Sequence, residues 1–253
     1  MAFPADDLLA RDLAEQAGER LLKLRASGAT ADDLRKAGDL GSQEFLAAEL
    51  ARLRPDDAIL SEEAVDDLAR LNADRVWIID PLDGTREFGE DGRVDWAVHV
   101  ALWERGELTA GAVALPAQGK VLSTAEPPPG PAPIEPDAAL RLVVSRSRPP
   151  EFVQLLATEL GAELVPLGSA GAKASAVIVG DVDAYVHSGG QYEWDSAAPV
   201  AVARSAGLHT SRIDGSILGY NSEQPWMPDI LICPVPLADR LLEAISAVQQ
   251  HHE

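Results

Sequence analysis

The sequence predicts a protein of mixed α+β and α/β class, built as two subdomains. Two helical patterns and a run of short strands joined by tight turns fill the first half, and such short connections favour antiparallel pairing. Strands and helices alternate in the second half, which is typical of α/β structure. The proline-rich segment Glu126–Pro133 lies between the halves and cannot continue a sheet, because proline supplies no donor to the hydrogen-bond ladder. We therefore expect an N-terminal α+β subdomain over residues 1–135 and a C-terminal α/β subdomain over residues 136–253.

The first half begins with two predicted helices. Leucines and alanines recur at helical spacing from Asp6 to about Leu24, among charged residues that would face water. A second helix is expected from about Asp39 to the break at Arg54 and Pro55, with Asp39 as a candidate N-cap because its carboxylate can accept backbone N–H groups. The other elements expected here are a short helix over 66–71 and strands over 58–61, 76–79, 94–103, 110–115 and 120–124.

The second half alternates between strand and helix patterns. Strands are expected over 140–145, 163–167, 182–186, near Leu208 and over 229–233, with helices over 152–160, 172–179, 195–206 and 237–248. In the first half, His99 falls within the alternating strand pattern 94–103, so we interpret it as a sheet residue rather than a ligand.

The charge balance limits the classes of partner. The chain has 253 residues, with 21 Lys and Arg against 41 Asp and Glu, for a formal net charge of −20. This charge disfavours nucleic-acid backbones and anionic membranes. No stretch is apolar enough to cross a bilayer and Met1–Asp7 lacks the pattern of a signal peptide, so a cytoplasmic protein is expected. The single cysteine, Cys233, excludes an internal disulfide and a thiolate cluster, and its apolar neighbours predict a buried thiol.

The strongest chemical signal lies at Trp77–Thr85. Apolar residues predict a buried strand through Ile79, which a proline and then a glycine bring to an end. Asp80 and Asp83 flank the bend fixed by Pro81, so both carboxylates can point into one cleft. Neither would ionise comfortably there without a cation between them. Hard oxygen ligands of this kind suit Mg²⁺.

The segment Asp80–Thr85 reads Asp-Pro-Leu-Asp-Gly-Thr and resembles the Asp-Pro-x-Asp-Gly-Thr signature of the inositol monophosphatase superfamily, the lithium-sensitive, Mg²⁺-dependent phosphomonoesterases. Ser61–Glu63 upstream and Trp194–Ala198 downstream follow in the order that this family shows. The resemblance implies a layered αβαβα sandwich of the inositol monophosphatase and fructose bisphosphatase type, with two or three Mg²⁺ ions bound by the motifs. The ligands that it implies are Glu62, Asp80, Asp83, Asp195 and the backbone carbonyl of Leu82.

The resemblance also implies a catalytic pair. Thr85 would polarise the attacking water together with Asp39, although Lys36–Asp39 departs from the Val-Thr-x-x-Asp sequence that is usual in the family. The N–H groups of Gly84 and Thr85 are placed to hold a phosphate oxygen, and a glycine lets the backbone approach the anion closely.

Substrate choice is expected to come from the second half. Ser145 and Arg146 resemble the Ser-Arg-Ser loop of the CysQ-type 3′-phosphoadenosine 5′-phosphate phosphatases of this superfamily, although Arg146 and Arg148 could also be surface charges. Ser169 and Lys173, near a predicted helix start, are again as in that branch. The expected substrate-binding residues are Asp83, Gly84, Thr85, Ser145, Arg146, Ser169, Lys173 and Asp195.

The resemblance implies a Mg²⁺-dependent phosphatase that removes the 3′-phosphate of 3′-phosphoadenosine 5′-phosphate by attack of an activated water. The same resemblance leaves inositol monophosphate and fructose 1,6-bisphosphate open as substrates. An alternative of another class is an acidic scaffold that holds cations or nucleotide without turnover. The expected partner is a small phosphorylated molecule, and a homodimer is left open. Replacing Asp83 with Asn should abolish turnover and leave the fold intact.

Overall fold

The computed structural model describes residues 5–135 and 138–252, which form seven α-helices and ten strands. The expected subdomain boundary falls beside Pro136 and Asp137, which lie outside the described residues. In chain order the elements are α1 (Asp6–Arg25), α2 (Ala31–Leu53), β1 (Ala58–Ser61), β2 (Arg75–Asp83), α3 (Thr85–Gly89), β3 (Ala97–Glu104), β4 (Glu107–Leu115), β5 (Lys120–Ser123), β6 (Arg141–Ser145), α4 (Glu151–Leu160), β7 (Glu163–Leu167), α5 (Ala170–Ile178), β8 (Ala184–Tyr192), α6 (Glu193–Ser205), β9 (Leu208–Ser211), β10 (Trp226–Pro234) and α7 (Ala238–His252).

The strands form two five-stranded sheets. The first has the order β1-β2-β3-β4-β5, in which β1 and β2 are parallel and the other neighbours antiparallel. The second has the order β7-β6-β8-β10-β9, with parallel pairing of β6 to β7 and β8 and antiparallel pairing of β10 to β8 and β9. The antiparallel hairpins of the first half agree with the short turns seen in the sequence.

Three hydrophobic cores separate five layers. The first core packs α1 and α2 against one face of the first sheet. The second lies between the two sheets and contains the apolar residues of α5 and α6. The third packs the far face of the second sheet against α4 and α7, and it includes Cys233, which is buried as predicted. This stacking of helices and sheets confirms the predicted αβαβα sandwich. Over the described ranges, no helix combines the length and apolarity needed to span a bilayer.

A β-bulge at the end of β2 sets the direction of two aspartates. Asp80 is paired with His99 of β3 and Asp83 with Ala97, so three steps along β2 match two steps along β3. In a regular strand, residues three apart point to opposite faces. The extra residue removes this difference and turns both carboxylates toward the same face. The sequence predicted the strand only as far as Ile79, because the proline masks its continuation.

Helix α2 begins earlier than the sequence analysis expected. Thr30 is its N-cap, with the hydroxyl oxygen accepting a hydrogen bond from the Asp33 N–H at 3.3 Å. The expected start at Asp39 is therefore wrong, because Thr30 supplies the better-placed cap and Asp32 and Asp33 favour the first turn. Asp39 lies within the helix, where its carboxylate is available for contacts across the site.

Candidate metal centre and active-site cleft

Three acidic side chains from distant parts of the chain meet in one place. Asp80 and Asp83 come from the bulged end of β2, and Asp195 comes from the first turn of α6. Each offers a carboxylate oxygen within 4.8 Å of the oxygens offered by the other two. The Asp195 carboxylate is oriented by the N–H group of Tyr192, which donates to Oδ2 at 2.6 Å across the start of the helix. Oxygen donors gathered in this way can share a hard cation.

The two other predicted ligands lie beside these three. The Glu62 side chain, just after β1, hydrogen-bonds with Asp80 and is close enough to Asp195 and Asp83 to interact electrostatically. The Leu82 carbonyl accepts from Thr85 Oγ1 at 3.1 Å, and the Leu82 N–H donates to Asp80 Oδ1 at 3.0 Å. The fold therefore brings the four predicted carboxylates together and places the Leu82 carbonyl on the same bulged segment as Asp80 and Asp83, and their role in binding metal stays a prediction.

Burial and mutual repulsion raise the pKa values of three of these acids, Glu62, Asp80 and Asp195. Burial, assisted by the charges of Asp195 and Asp83, raises the pKa of Glu62 to about 7. Burial and Asp83 raise the pKa of Asp195 to about 6. The pKa of Asp80 lies well above its ordinary value, because of burial and then of Glu62 and Asp83. A cation bound among carboxylates that oppose one another's ionisation stabilises all of them as anions, so this donor set fits a divalent metal.

Asp83 differs from its neighbours because protein donors surround it. Oδ1 accepts from the Ala170 N–H at 3.1 Å, and Oδ2 accepts from the Gly171 N–H at 2.5 Å and lies 3.2 Å from His99 Nε2. Burial alone would raise the pKa of Asp83, but His99 and the Gly171 amide hold it below the ordinary value. Asp83 thus links the end of β2 in the first sheet to the start of α5 through two backbone hydrogen bonds.

His99 has a contact that the sequence analysis did not foresee. It is a sheet residue as expected, but it is fully buried, and its Nδ1 lies 3.0 Å from the Trp194 carbonyl oxygen while Nε2 faces Asp83. Burial would lower its pKa, whereas Asp83 and the Trp194 carbonyl raise it above the ordinary value. The contact follows from the β2–β3 register, in which His99 lies opposite Asp80, and the sequence alone carries no signal for this register.

The proposed catalytic pair is within hydrogen-bond distance. Thr85, the first residue of α3, places Oγ1 at 3.2 Å from Asp39 Oδ1 and at 3.1 Å from the Leu82 carbonyl. Burial and the charge of Glu63 raise the pKa of Asp39 to about 6, although the Thr85 hydroxyl opposes this shift. A carboxylate with a pKa of about 6 can accept a proton near neutral pH.

Gly84 allows the two halves of the chain to touch beside this pair. Its φ is +83°, in the left-handed region, and a Cβ built there would lie 2.8 Å from the Ser169 Cβ. Any other residue would be strained and would push the two loops apart. Ser169 itself caps α5, with Oγ accepting from the Ala172 N–H at 2.9 Å.

A cleft of about 460 Å³, here called the active-site cleft, opens beside the carboxylates. Seven of the eight predicted substrate-binding residues line it, namely Asp83, Gly84, Thr85, Ser145, Ser169, Lys173 and Asp195. Lys173 is buried and donates from Nζ to the carbonyl oxygens of Gly168 at 2.5 Å and Ser169 at 3.0 Å. Burial lowers its pKa, against the opposing charges of Asp83 and Asp195.

Arg146 is the predicted residue that does not line the cleft. Its Nη2 donates to Glu87 at 2.7 Å and to Glu90 at 3.0 Å, so the guanidinium is held by two carboxylates near α3. The next two residues, Ser147 and Arg148, do line the cleft. The loop named in the sequence analysis thus lies beside the cleft, and the choice of Arg146 as a binding residue stays a prediction.

Comparison with known proteins identifies the relatives of this chain. The sequence profile of the inositol monophosphatase family matches residues 5–252. A Mycobacterium bovis protein named 3′-phosphoadenosine 5′-phosphate phosphatase is 52% identical over 238 residues, which cover 91% of this chain and 89% of that protein. A Mycobacterium leprae protein of the same name is 50% identical over 262 residues, with 97% and 95% coverage. The structure of CysQ from Bacteroides thetaiotaomicron, at 25% identity, matches with a TM-score of 0.76 over 90% of this chain and 97% of that chain. This chain belongs to the inositol monophosphatase family.

Proposed function

We propose that this chain is a Mg²⁺-dependent phosphatase that converts 3′-phosphoadenosine 5′-phosphate to AMP and phosphate. Two relatives of about half-identical sequence carry the name of that phosphatase, and they align over nearly their whole length. The observation that carries the proposal is the meeting of the acidic cluster with the Thr85–Asp39 pair at one end of the cleft.

The residues of the cluster have the chemistry that magnesium requires. Glu62, Asp80, Asp83, Asp195 and the Leu82 carbonyl would hold the metal. Bound Mg²⁺ would supply a water of lowered pKa and would neutralise charge on the phosphate during transfer. Hard carboxylate and carbonyl oxygens are the donors that Mg²⁺ prefers.

Thr85 and Asp39 would receive the proton of the attacking water. Thr85 Oγ1 accepts that proton as its own hydroxyl proton passes to Asp39 Oδ1, 3.2 Å away. The water oxygen then forms a bond to phosphorus, and the bond from phosphorus to the 3′-oxygen breaks. The leaving oxygen takes a proton from solvent. Burial of Asp39 favours this direction of transfer, because it raises the affinity of the carboxylate for a proton.

The loops on either side of Thr85 would position the phosphate groups. The N–H groups of Gly84 and Thr85 are available at the first turn of α3, where backbone donors favour an anion. Ser145, Ser169 and Lys173 also line the cleft and come from the C-terminal half of the chain.

The test is steady-state phosphate release from 3′-phosphoadenosine 5′-phosphate, inositol 1-phosphate and fructose 1,6-bisphosphate, each with Mg²⁺ and with EDTA. We expect the nucleotide to give the highest kcat/KM and EDTA to remove all release. Asp195→Asn should abolish turnover, while Asp56→Asn, an exposed carboxylate outside the cleft, is the matched control.

The outcomes separate the alternatives. Release from inositol 1-phosphate but not from the nucleotide would refute the substrate assignment and keep the phosphatase. No release from any of the three in the presence of Mg²⁺ would favour the non-catalytic scaffold.

A further inference from the structure

A buried arginine lies outside the active-site cleft, in the segment that joins β1 to β2. Arg70 is only 1% exposed, although its guanidinium is charged. Its Nε and Nη2 atoms donate to the two carboxylate oxygens of Asp66 at 2.7 and 2.9 Å. A buried guanidinium is stable only where acceptors surround it, so the acceptors of Arg70 belong to the design of the fold.

The other acceptors of Arg70 come from a distant loop. Nη1 donates to Asn221 Oδ1 at 2.6 Å, and Nη2 donates to the Ser222 carbonyl oxygen at 2.8 Å. Asn221 Nδ2 donates back to the Arg70 carbonyl oxygen at 3.3 Å. Asn221 has a φ of +61°, in the left-handed region that few residues other than glycine adopt. Such a conformation persists only where surrounding contacts fix it, and Arg70 supplies two of these contacts.

The same loop is also bound by Glu193, the first residue of α6. Glu193 Oε2 accepts from the Asn221 N–H at 2.6 Å, and Oε1 accepts from the Ser222 N–H at 2.9 Å. The Glu193 side chain is buried as deeply as that of Arg70. Asp66, Arg70, the two loop residues and Glu193 thus form one connected set of hydrogen bonds, here called the Arg70 bridge.

The Arg70 bridge joins the two segments that carry Glu62 and Asp195. Arg70 follows Glu62 in the β1–β2 segment, and Glu193 shares the first turn of α6 with Asp195. Residues 63–69 are all exposed or half-buried, so Arg70 is the first buried residue to anchor the segment after Glu62. An exposed segment has few contacts of its own to fix its position. The separation of the two acidic side chains therefore depends on the bridge.

We propose that Arg70 is a positioning residue that holds Glu62 and Asp195 at the separation needed to share a metal ion. The inference rests on the proposed function and adds a residue that contacts neither metal nor substrate. Groups that orient metal ligands from outside change metal affinity by about 10–100-fold when they are removed. Lysine is a poor replacement, because one ammonium group cannot pair with both Asp66 oxygens and with the loop acceptors.

The test is calorimetric titration of Mg²⁺ alone into the metal-free whole chain. Arg70→Met keeps an unbranched apolar side chain and removes every donor of the guanidinium. We expect it to weaken Mg²⁺ binding about 10-fold, and Arg70→Lys to recover only part of this loss. In the phosphate-release assay the Mg²⁺ concentration for half-maximal activation should rise by the same factor. The kcat at saturating Mg²⁺ should stay within about 3-fold of the wild type, because excess metal restores the bound state by mass action.

A second variant tests the other end of the bridge. In Asn221→Gly, glycine adopts the φ of +61° without strain and keeps the backbone hydrogen bond to Glu193, so the variant should fold. The side-chain bonds to Arg70 are lost, so Mg²⁺ affinity should fall about 3-fold. Arg105→Met is the matched control and should leave Mg²⁺ affinity unchanged. Arg105 pairs with Asp74 of the same β1–β2 segment at 2.9 Å, but both side chains are 70% exposed.

Thermal melting in EDTA separates positioning from a purely structural role. An Arg70→Met variant that melts earlier but binds Mg²⁺ like the wild type would overturn the inference and leave the proposed function standing. If Arg70→Met does not fold, Asn221→Gly decides, and Mg²⁺ affinity equal to that of the wild type would count against the bridge. A wild type that binds no Mg²⁺ would overturn the proposed function itself.

Discussion

Replacing Asp83 with Asn is expected to cost stability as well as activity, in contrast to what the sequence analysis expected. The carboxylate of Asp83 accepts one backbone hydrogen bond on each oxygen, from the Ala170 N–H on Oδ1 and from the Gly171 N–H on Oδ2, and Oδ2 also lies 3.2 Å from His99 Nε2. An asparagine side chain has one acceptor oxygen. If that oxygen faces Gly171 and His99, the amide group faces the N–H of Ala170, and this buried donor loses its partner. In the opposite orientation the Gly171 N–H loses its partner instead.

The size of the effect follows from these contacts. Hydrogen bonds to a charged group contribute about 1.5–3 kcal/mol each, and a buried donor left unpaired costs about 1–3 kcal/mol. We therefore expect Asp83→Asn to lose about 3 kcal/mol, which lowers the melting temperature by about 6–12 °C for a chain of this size.

Asp80→Asn is the matched comparison. Asp80 accepts one backbone hydrogen bond, from the Leu82 N–H, and its pKa is raised well above the ordinary value by burial and then by neighbouring carboxylates. A neutral asparagine removes this repulsion and can still donate to Glu62. We expect its melting temperature in EDTA to stay within about 4 °C of the wild type, because about 1 kcal/mol corresponds to 2–4 °C.

The assay is differential scanning calorimetry at pH 7.5 in EDTA and again with Mg²⁺. Both variants should lose the stabilisation that Mg²⁺ gives the wild type, but Asp83→Asn alone should melt much earlier in EDTA. A melting temperature of Asp83→Asn within 2 °C of the wild type, or an equal loss in both variants, would refute the argument about the two backbone donors.

Three further predictions concern the same site. The raised pKa values of about 6 at Asp39 and Asp195 mean that the folded chain binds more protons than the unfolded chain between their ordinary value of 3.8 and about 6. Without metal, stability should therefore fall as the pH rises through this window, and Mg²⁺ should raise the melting temperature more at pH 7.5 than at pH 5, as calorimetry at the two pH values would show. Thr85→Val removes the hydroxyl that links Asp39 to the water, so kcat should fall about 10²–10⁴-fold, while Thr85→Ser should retain most of it in the phosphate-release assay. Gly171→Ala would place a Cβ 2.1 Å from His99 Nε2, so it should lower both the melting temperature and the Mg²⁺ affinity, and unchanged values of both would contradict the described packing.

The sequence predicted those parts of the site that depend on neighbouring residues in the chain. The segment Asp80–Thr85 carries two carboxylates, a carbonyl and a hydroxyl within six positions, so its chemistry could be read without tertiary contacts. The alternation of strands and helices predicted the class in the same way. The start of α2 was misplaced because both Thr30 and Asp39 are suitable caps, and the acidic first turn that Asp32 and Asp33 form after Thr30 was not weighed.

Contacts between distant segments were beyond the sequence. The pairing of His99 with Asp83 depends on a bulge that changes the strand register, and a bulge has little signature in a single sequence. The pairing of Arg146 with Glu87 and Glu90 depends on how the loop after β6 meets α3.

The bulge in β2 also changes what a mutation can remove. Both main-chain polar groups of Leu82 pair with side chains, the N–H with Asp80 and the carbonyl with Thr85. Any residue at position 82 would present the same carbonyl oxygen. Its side chain would be constrained only by the apolar packing around it. One of the five proposed metal donors is thus a backbone atom, which does not depend on the identity of the side chain. A substitution at position 82 in a related protein would therefore say little about whether that protein has kept its metal site.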